Sequence, residues 1–283
     1  MPRRFIEKLF VDCALRPVIA TEIEFYLHGA QKRLGIERTL GIIREECVKA
    51  DIPLASAEEE RGPDQYEIAL RPSWDVMRIA EDTERFKRLM KEAFYGHGIT
   101  ADFSAKPLTD APGNGLHVHA HLEDKMGRNM FFRDGEFSPH LLQALGGLLK
   151  TMNPCMVFFA PLEASYARFA PHSNAPTTVS WGTNNRTVAL RLPTKPLSNK
   201  HIEHRVAGSD AESAPVITAI LAGIHYGLTQ QCDAGEPIYG DASLAQYKRP
   251  LLVRSLQEAR DYAVRLPFTI SMPPLSGGGE AGG

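Results

Sequence analysis

Residues 18–27, VIATEIEFYL, alternate apolar and polar positions and are rich in β-branched and aromatic side chains, the pattern of a strand. In residues 35–51, Ile36, Leu40, Ile43 and Cys47 recur at helical spacing. DQYEIALRP (64–72) reads as a strand closed by proline, and a long helix follows from Ser73, a candidate N-cap, to the GHG at 96–98. ITADFSAKP (99–107) and GLHVHAHLED (115–124) predict further strands. A helix begins at Ser138, another candidate N-cap with Pro139 just inside it, and a less regular helical stretch follows. TTVSWG, TVALRLP and HIEHRVA are three short strand candidates at close spacing. Residues 212–231 are apolar on most sides and predict a buried helix, and an amphipathic helix near 252–264 leads into a Gly-rich tail. Strands interspersed with long helices indicate an α+β fold with a largely antiparallel sheet.

The chain has 283 residues, 43% of them hydrophobic and 23% charged, ample for a large core. A formal net charge of −2 gives no support for a nucleic-acid partner, which a basic surplus would favour. Cys13, Cys47, Cys155 and Cys232 lie far apart with no C-x-x-C pair, as reduced thiols do. The first 17 residues lack a sustained apolar core and a cleavage site, and the apolar run around 155–162 is too short to span a bilayer. These features predict a soluble, cytoplasmic protein with no membrane partner.

The glutamates change the picture. Glu22 and Glu24 alternate within an apolar strand, Glu67 lies inside QYEIAL, and Glu203 lies inside HIEHRV. Strands disfavour glutamate, and an inward carboxylate is costly unless a cation or hydrogen bonds compensate it. One such residue would read as a solvated strand face. Four, with the acidic run Glu58–Glu60 and histidines at 117, 119 and 121, point to a divalent cation held by strands converging on one face. The three histidines alone leave open a zinc site, a mixed-ligand site or a wet strand face. Arg168, Arg186, Arg191 and Arg205 sit in apolar segments, where guanidinium groups bind carboxylate or phosphate. Arg186 and Arg191, five apart, would occupy opposite faces of one straight strand unless a turn or bulge intervenes. Glutamates and arginines together suit metal-bound phosphates and an acidic substrate, hence a phosphotransferase or ligase.

The order of motifs resembles the catalytic domain of the glutamine synthetase family. The matching segments are EIEFYL (22–27), EERGPDQYE (59–67), FSAKP (103–107), GNGLHVHAHL (113–122), YARFAP, NNRTVALRLP and HIEHRVAGSDA (201–211). The resemblance implies a curved, largely antiparallel sheet flanked by helices and carrying the active site, over residues 18–268, between a short segment (1–17) and a flexible tail (269–283). It implies two Mg or Mn ions, one held by Glu24, Glu59 and Glu67 and the other by Glu22, His117 and Glu203. By the same resemblance His119 and His201 fall in the nucleotide site, with Arg191 beside the phosphates. Gly113, Arg168 and Arg205 fall around the glutamate substrate, and Arg186 and Arg191 stabilise the transferred phosphoryl group. The reaction implied is ATP-dependent formation of a γ-glutamyl amide through γ-glutamyl phosphate, with glutamate, ATP and an amine as partners.

This chain departs from the family pattern in several places. Asn174 stands where the flap carries a glutamate, Pro112 replaces an asparagine, His201 an arginine, Ser198 a lysine and His121 a serine. Against the family pattern the small N-terminal domain and the last helices are expected to be nearly absent, so a homo-oligomer is expected without the family's ring assembly. The missing groups serve ammonium and site closure, so an organic amine is expected in place of ammonia. The alternative is a catalytically impaired relative that binds nucleotide or glutamate, or a regulatory partner.

Overall fold

The computed structural model describes residues 2–29, 34–133, 136–170, 175–193 and 200–270. Its centre is an eight-stranded sheet. In chain order the strands are β1 (Arg16–His28), β2 (Leu54–Glu59), β3 (Gln65–Leu70), β4 (Thr100–Asp102), β5 (Leu116–Glu123), the small hairpin β6 (Phe132–Arg133) and β7 (Glu136–Phe137), β8 (Trp181–Thr183), β9 (Leu190–Leu192) and β10 (Ile202–His204). The main sheet runs β2-β3-β1-β5-β10-β9-β8, with β4 also paired to β1. Every pair is antiparallel except β8 with β9, which is parallel. The α+β reading therefore holds, with one parallel pair in the sheet.

The helices are α1 (Pro2–Cys13), α2 (Ile36–Lys49), α3 (Val76–Tyr95), α4 (Pro139–Thr151), α5 (Met156–Phe159), α6 (Ser213–Thr229) and α7 (Leu256–Ala263). Local chemistry sets their ends. Ser138 caps α4 as expected, its hydroxyl accepting from Leu141 N at 3.2 Å. At α3 the cap is Asp75 rather than Ser73: its carboxylate accepts from Arg78 N at 3.1 Å. The Ser73 backbone is instead committed to a two-bond bridge with Ile19 of β1. The helix ends before Gly98, whose φ of +69° suits a residue without a Cβ.

The core lies between the sheet and the helices. Ile19, Ile23 and Phe25 of β1 share one buried core with Phe86 and Met90 of α3 and with Val216, Ile217, Ile220 and Ile224 of α6. A Cβ on Gly147 of α4 would lie 2.3 Å from Gly223 O and 2.4 Å from Gly227 Cα of α6, so these two helices touch backbone to backbone. The hydrophobic pattern assigns no element to residues 1–17, yet α1 buries Phe5 and Leu9. It is also tied to α6 by Asp12 and His225, 2.7 Å apart. No helix among the described residues is long and apolar enough to cross a membrane. The expected tail lies almost entirely outside the described residues.

Candidate active site

Strands β3, β1, β5 and β10 lie side by side, and the pleat puts alternate side chains on a common face. Register decides which of them meet. Glu24 is paired with Glu67, Glu22 with His117, and Glu203 with His119 on one side and Arg191 on the other. Two groups result, each with its ligand atoms within 4.8 Å of one another: Glu22, His117 and Glu203, and Glu24, Glu67 and His117. His117 belongs to both. Its Nδ1 lies 2.6 Å from Glu22 Oε1, and its Nε2 is buried without a hydrogen-bond partner among the described residues. A buried ring nitrogen left open beside four carboxylates is a donor set that fits Mg or Mn better than zinc.

Glu59 does not join them. It is exposed, and in the edge pairing it stands opposite Tyr66, whereas Glu58 stands opposite Glu67. Alternation then returns Glu60 to the face of Glu67, and Glu60 lines the cavity beside Glu24 and His117. The geometry thus brings Glu60, and not Glu59, beside the other expected ligands. The choice among the three glutamates depends on the β2–β3 register, which the sequence does not state.

Charge is balanced unevenly over this patch. Burial would push Glu203 up, but Arg205, His119 and His117 outweigh it and hold the carboxyl at about 2. Arg205 donates to Glu203 Oε1, and Arg191 Nη1 donates to Oε2 at 2.6 Å. Glu22 is likewise held low, burial being overcome by hydrogen bonds from His117 and His119. Glu67 is raised far above the usual carboxylate range by burial and by the neighbouring Glu22 and Glu24. Glu24 is raised as well, chiefly by burial, although Gly115 N donates to its Oε2 at 2.6 Å.

The expected substrate groups gather beside the carboxylates. Gly113, Arg168, Arg186 and Arg205 line the same cavity. Arg168 is buried, donates to Val206 O at 2.9 Å, and has its pKa pulled down to about 10 by burial. Gly113 has no room for a side chain, since a Cβ would come within 2.5 Å of Ala105 O and 2.9 Å of Arg168 Cγ. Arg186 sits in the turn between β8 and β9 and Arg191 in β9 itself, so the intervening turn removes the opposite-face problem. Arg191 reaches the patch from the far side of Glu203.

The histidines divide. His119 Nδ1 lies 2.9 Å from His201 Nε2, and its Nε2 lies 3.3 Å from Glu22, so the two residues expected at the nucleotide are brought together. His121 faces Glu123 at 3.4 Å, away from the carboxylate patch. Asn174 and Ser198 lie outside the described residues. Gln65, Asn114 and Tyr26 carry no role in the sequence reading, yet all three are buried around the Gly113 segment.

Residues 35–265 match the family model of the glutamine synthetase catalytic domain. The γ-glutamylputrescine synthetase PuuA of Escherichia coli (strain K12) is 33% identical over 285 residues, covering 89% of this chain and 60% of that protein. A γ-glutamylethanolamide synthetase of Streptomyces coelicolor is 33% identical, covering 86% of this chain and 52% of the relative. A glutamate–isopropylamine ligase of a Pseudomonas species is 34% identical over 78% of this chain and 49% of its own length. The chain thus spans about half to three-fifths of these relatives. The solved GmaS/ADP complex shares the fold with a TM-score of 0.81 at 24% identity, covering 93% of this chain and 67% of that one. The carboxylate-lined sheet, its arginines and these matches together place the chain in the glutamine synthetase family.

Proposed function

We propose that this chain catalyses ATP-dependent joining of glutamate to an organic amine through γ-glutamyl phosphate. The observation that carries the reading is the convergence of two carboxylate groups sharing His117 on the cavity lined by Gly113, Arg168 and Arg205. Glu22, His117 and Glu203 would hold one divalent ion, and Glu24 and Glu67 the other, with Glu60 in the place expected for Glu59. When bound, such ions neutralise phosphate charge and orient the nucleotide.

The chain's own residues supply the rest. Arg168 and Arg205 offer buried guanidinium groups to the glutamate carboxylates, and Arg186 and Arg191 offer positive charge where phosphoryl charge grows. His119 and His201 form the wall on the nucleotide side. The glutamate side-chain carboxylate attacks the γ-phosphorus of ATP and releases ADP. The amine then attacks the acyl phosphate and displaces phosphate. An organic amine is favoured because relatives named for putrescine, ethanolamide and isopropylamine chemistry match most of this chain.

The test is glutamate-dependent ADP release across a panel of amines with ammonia included, with mass detection of γ-glutamyl products. Turnover best supported by an organic amine is expected, and ammonia exceeding every amine would overturn that choice. The alternative is a nucleotide-binding relative without turnover. Binding of metal–ATP with no ADP release for any amine would establish it.

A further inference from the structure

Four successive carbonyls of the segment carrying Gly113 each receive a hydrogen bond from a different residue. Lys106 Nζ donates to Ala111 O, and Tyr26 Oη donates to Pro112 O at 2.9 Å. Gln65 Nε2 donates to Gly113 O at 3.1 Å, and Ser209 N donates to Asn114 O at 3.1 Å. Tyr26 and Gln65 are register partners on β1 and β3, so two adjacent side chains address two consecutive peptide groups. Both are buried.

The packing around this pair leaves no slack. A Cβ on Gly62 would fall 1.9 Å from Tyr26 Oη and 2.7 Å from Gln65 Oε1, so glycine is required there. Gly62 N donates to Gln65 Oε1 at 2.9 Å, which fixes the amide with its nitrogen toward the loop. Asn114 Oδ1 accepts from the same nitrogen at 3.0 Å. The Asn114 amide donates to Asp102 O at 3.2 Å and Ser104 O at 3.0 Å. One residue further on, Gly115 N donates to Glu24 Oε2 at 2.6 Å.

Side chains hold the carbonyls of residues 111–113, while backbone bonds from Asn114 N to Ala105 O and from Ser209 N to Asn114 O hold the next residue. A buried carbonyl that loses such a donor is left unsatisfied, and the segment relaxes to recover a partner. Tyr26 lies two residues beyond Glu24 on the same face of β1, so it ties the pocket wall to the strand that carries the metal-facing carboxylates. Pro112 contributes no N–H, and its carbonyl is the handle by which the loop is held.

We infer that Tyr26, supported by Gln65 and Lys106, is a positioning residue that sets the Gly113 segment against Glu24 and Arg168 and so governs glutamate affinity. The substrate in this statement rests on the proposed ligase reading, while the positioning rests on the hydrogen bonds alone.

Tyr26→Phe removes only the hydroxyl. The expected result is a rise in KM for glutamate of about five- to tenfold, the effect of one part-buried hydrogen bond. The KM for ATP and kcat stay within about twofold of wild type, since the nucleotide side does not rest on this loop. Hydrogen exchange of the amides at 111–115 quickens by about the same factor, with the rest of the protein unchanged. Lys106→Met, made at the outer end of the loop, moves both readouts in the same direction and by less. Equal rises in both KM values, or unchanged exchange at 111–115, overturn the inference. If the wild-type protein shows no glutamate-dependent turnover, the ligase reading falls, and the exchange measurement still decides the positioning.

Discussion

Glu203 and Glu67 face the same patch from β10 and β3, with β1 and β5 between them, and their surroundings differ in sign. Glu203 is fully buried yet ionised, because Arg191 and Arg205 each donate to one of its oxygens. Glu67 is half-buried and meets Glu22 and Glu24, so its charged form is disfavoured. One end of the site is neutralised by the protein, and the other carries the charge that the proposed cation would neutralise. A buried carboxylate in a pair contributes to the folded structure. A carboxylate among carboxylates lowers stability until an ion arrives.

Replacing Glu203 gives the largest expected effect. Glu203→Ala leaves two guanidinium groups facing a vacated position and costs about 3–5 kcal/mol, read by denaturant unfolding of the metal-free protein. A loss under about 1 kcal/mol would mean that the arginines do not depend on it and would dissolve the contrast. Glu67→Gln is expected to do the reverse. The metal-free variant is as stable as wild type within about 1 kcal/mol, or more stable, because a repulsive group has been removed. Wild type should gain about 2.7 kcal/mol from Mg or Mn at about a hundred times Kd, and this gain should fall sharply in the variant.

Two smaller substitutions test where the cation side ends. Glu60→Gln is expected to weaken metal binding about tenfold, followed by the metal dependence of the melting temperature, since an uncharged amide is a poorer ligand for a hard cation. Glu59→Gln, one residue away, is expected to change stability by less than about 0.5 kcal/mol and to leave the metal titration in place. A larger effect at Glu59 than at Glu60 would reverse the assignment drawn from the strand register.

Much of the fold was legible because burial leaves a periodic trace. The alternation of 18–27, the carboxylates inside it and the Ser138–Pro139 pair each point to one structure by local chemistry. The buried helix at 213–229 was legible for the same reason, being apolar on most sides. Helix α1 was not, since it buries only Pro2, Phe5 and Leu9 while Phe10 and Val11 stay exposed. Strand β2 was also missed. As an edge strand it buries little and carries acidic residues, so its membership depends on β3 beside it. The choice between Ser73 and Asp75 as cap turned on a bridge to Ile19, more than fifty positions earlier in the chain.

The sequence by itself determined the chemical inventory: glutamates in strand-forming segments, three histidines on alternate positions, four arginines in apolar surroundings and a glycine-bearing loop. Their types were enough to imply cations and anionic substrates, because such groups are costly to bury without partners. Only the tertiary structure decided which of them meet. Register placed Glu60 rather than Glu59 at the cavity and gave His117 to both carboxylate groups. It also set Tyr26 beside Gln65 to hold a loop almost fifty residues beyond Gln65. A one-residue shift in a strand exchanges its faces, and nothing local to residues 58–60 distinguishes one glutamate from the next.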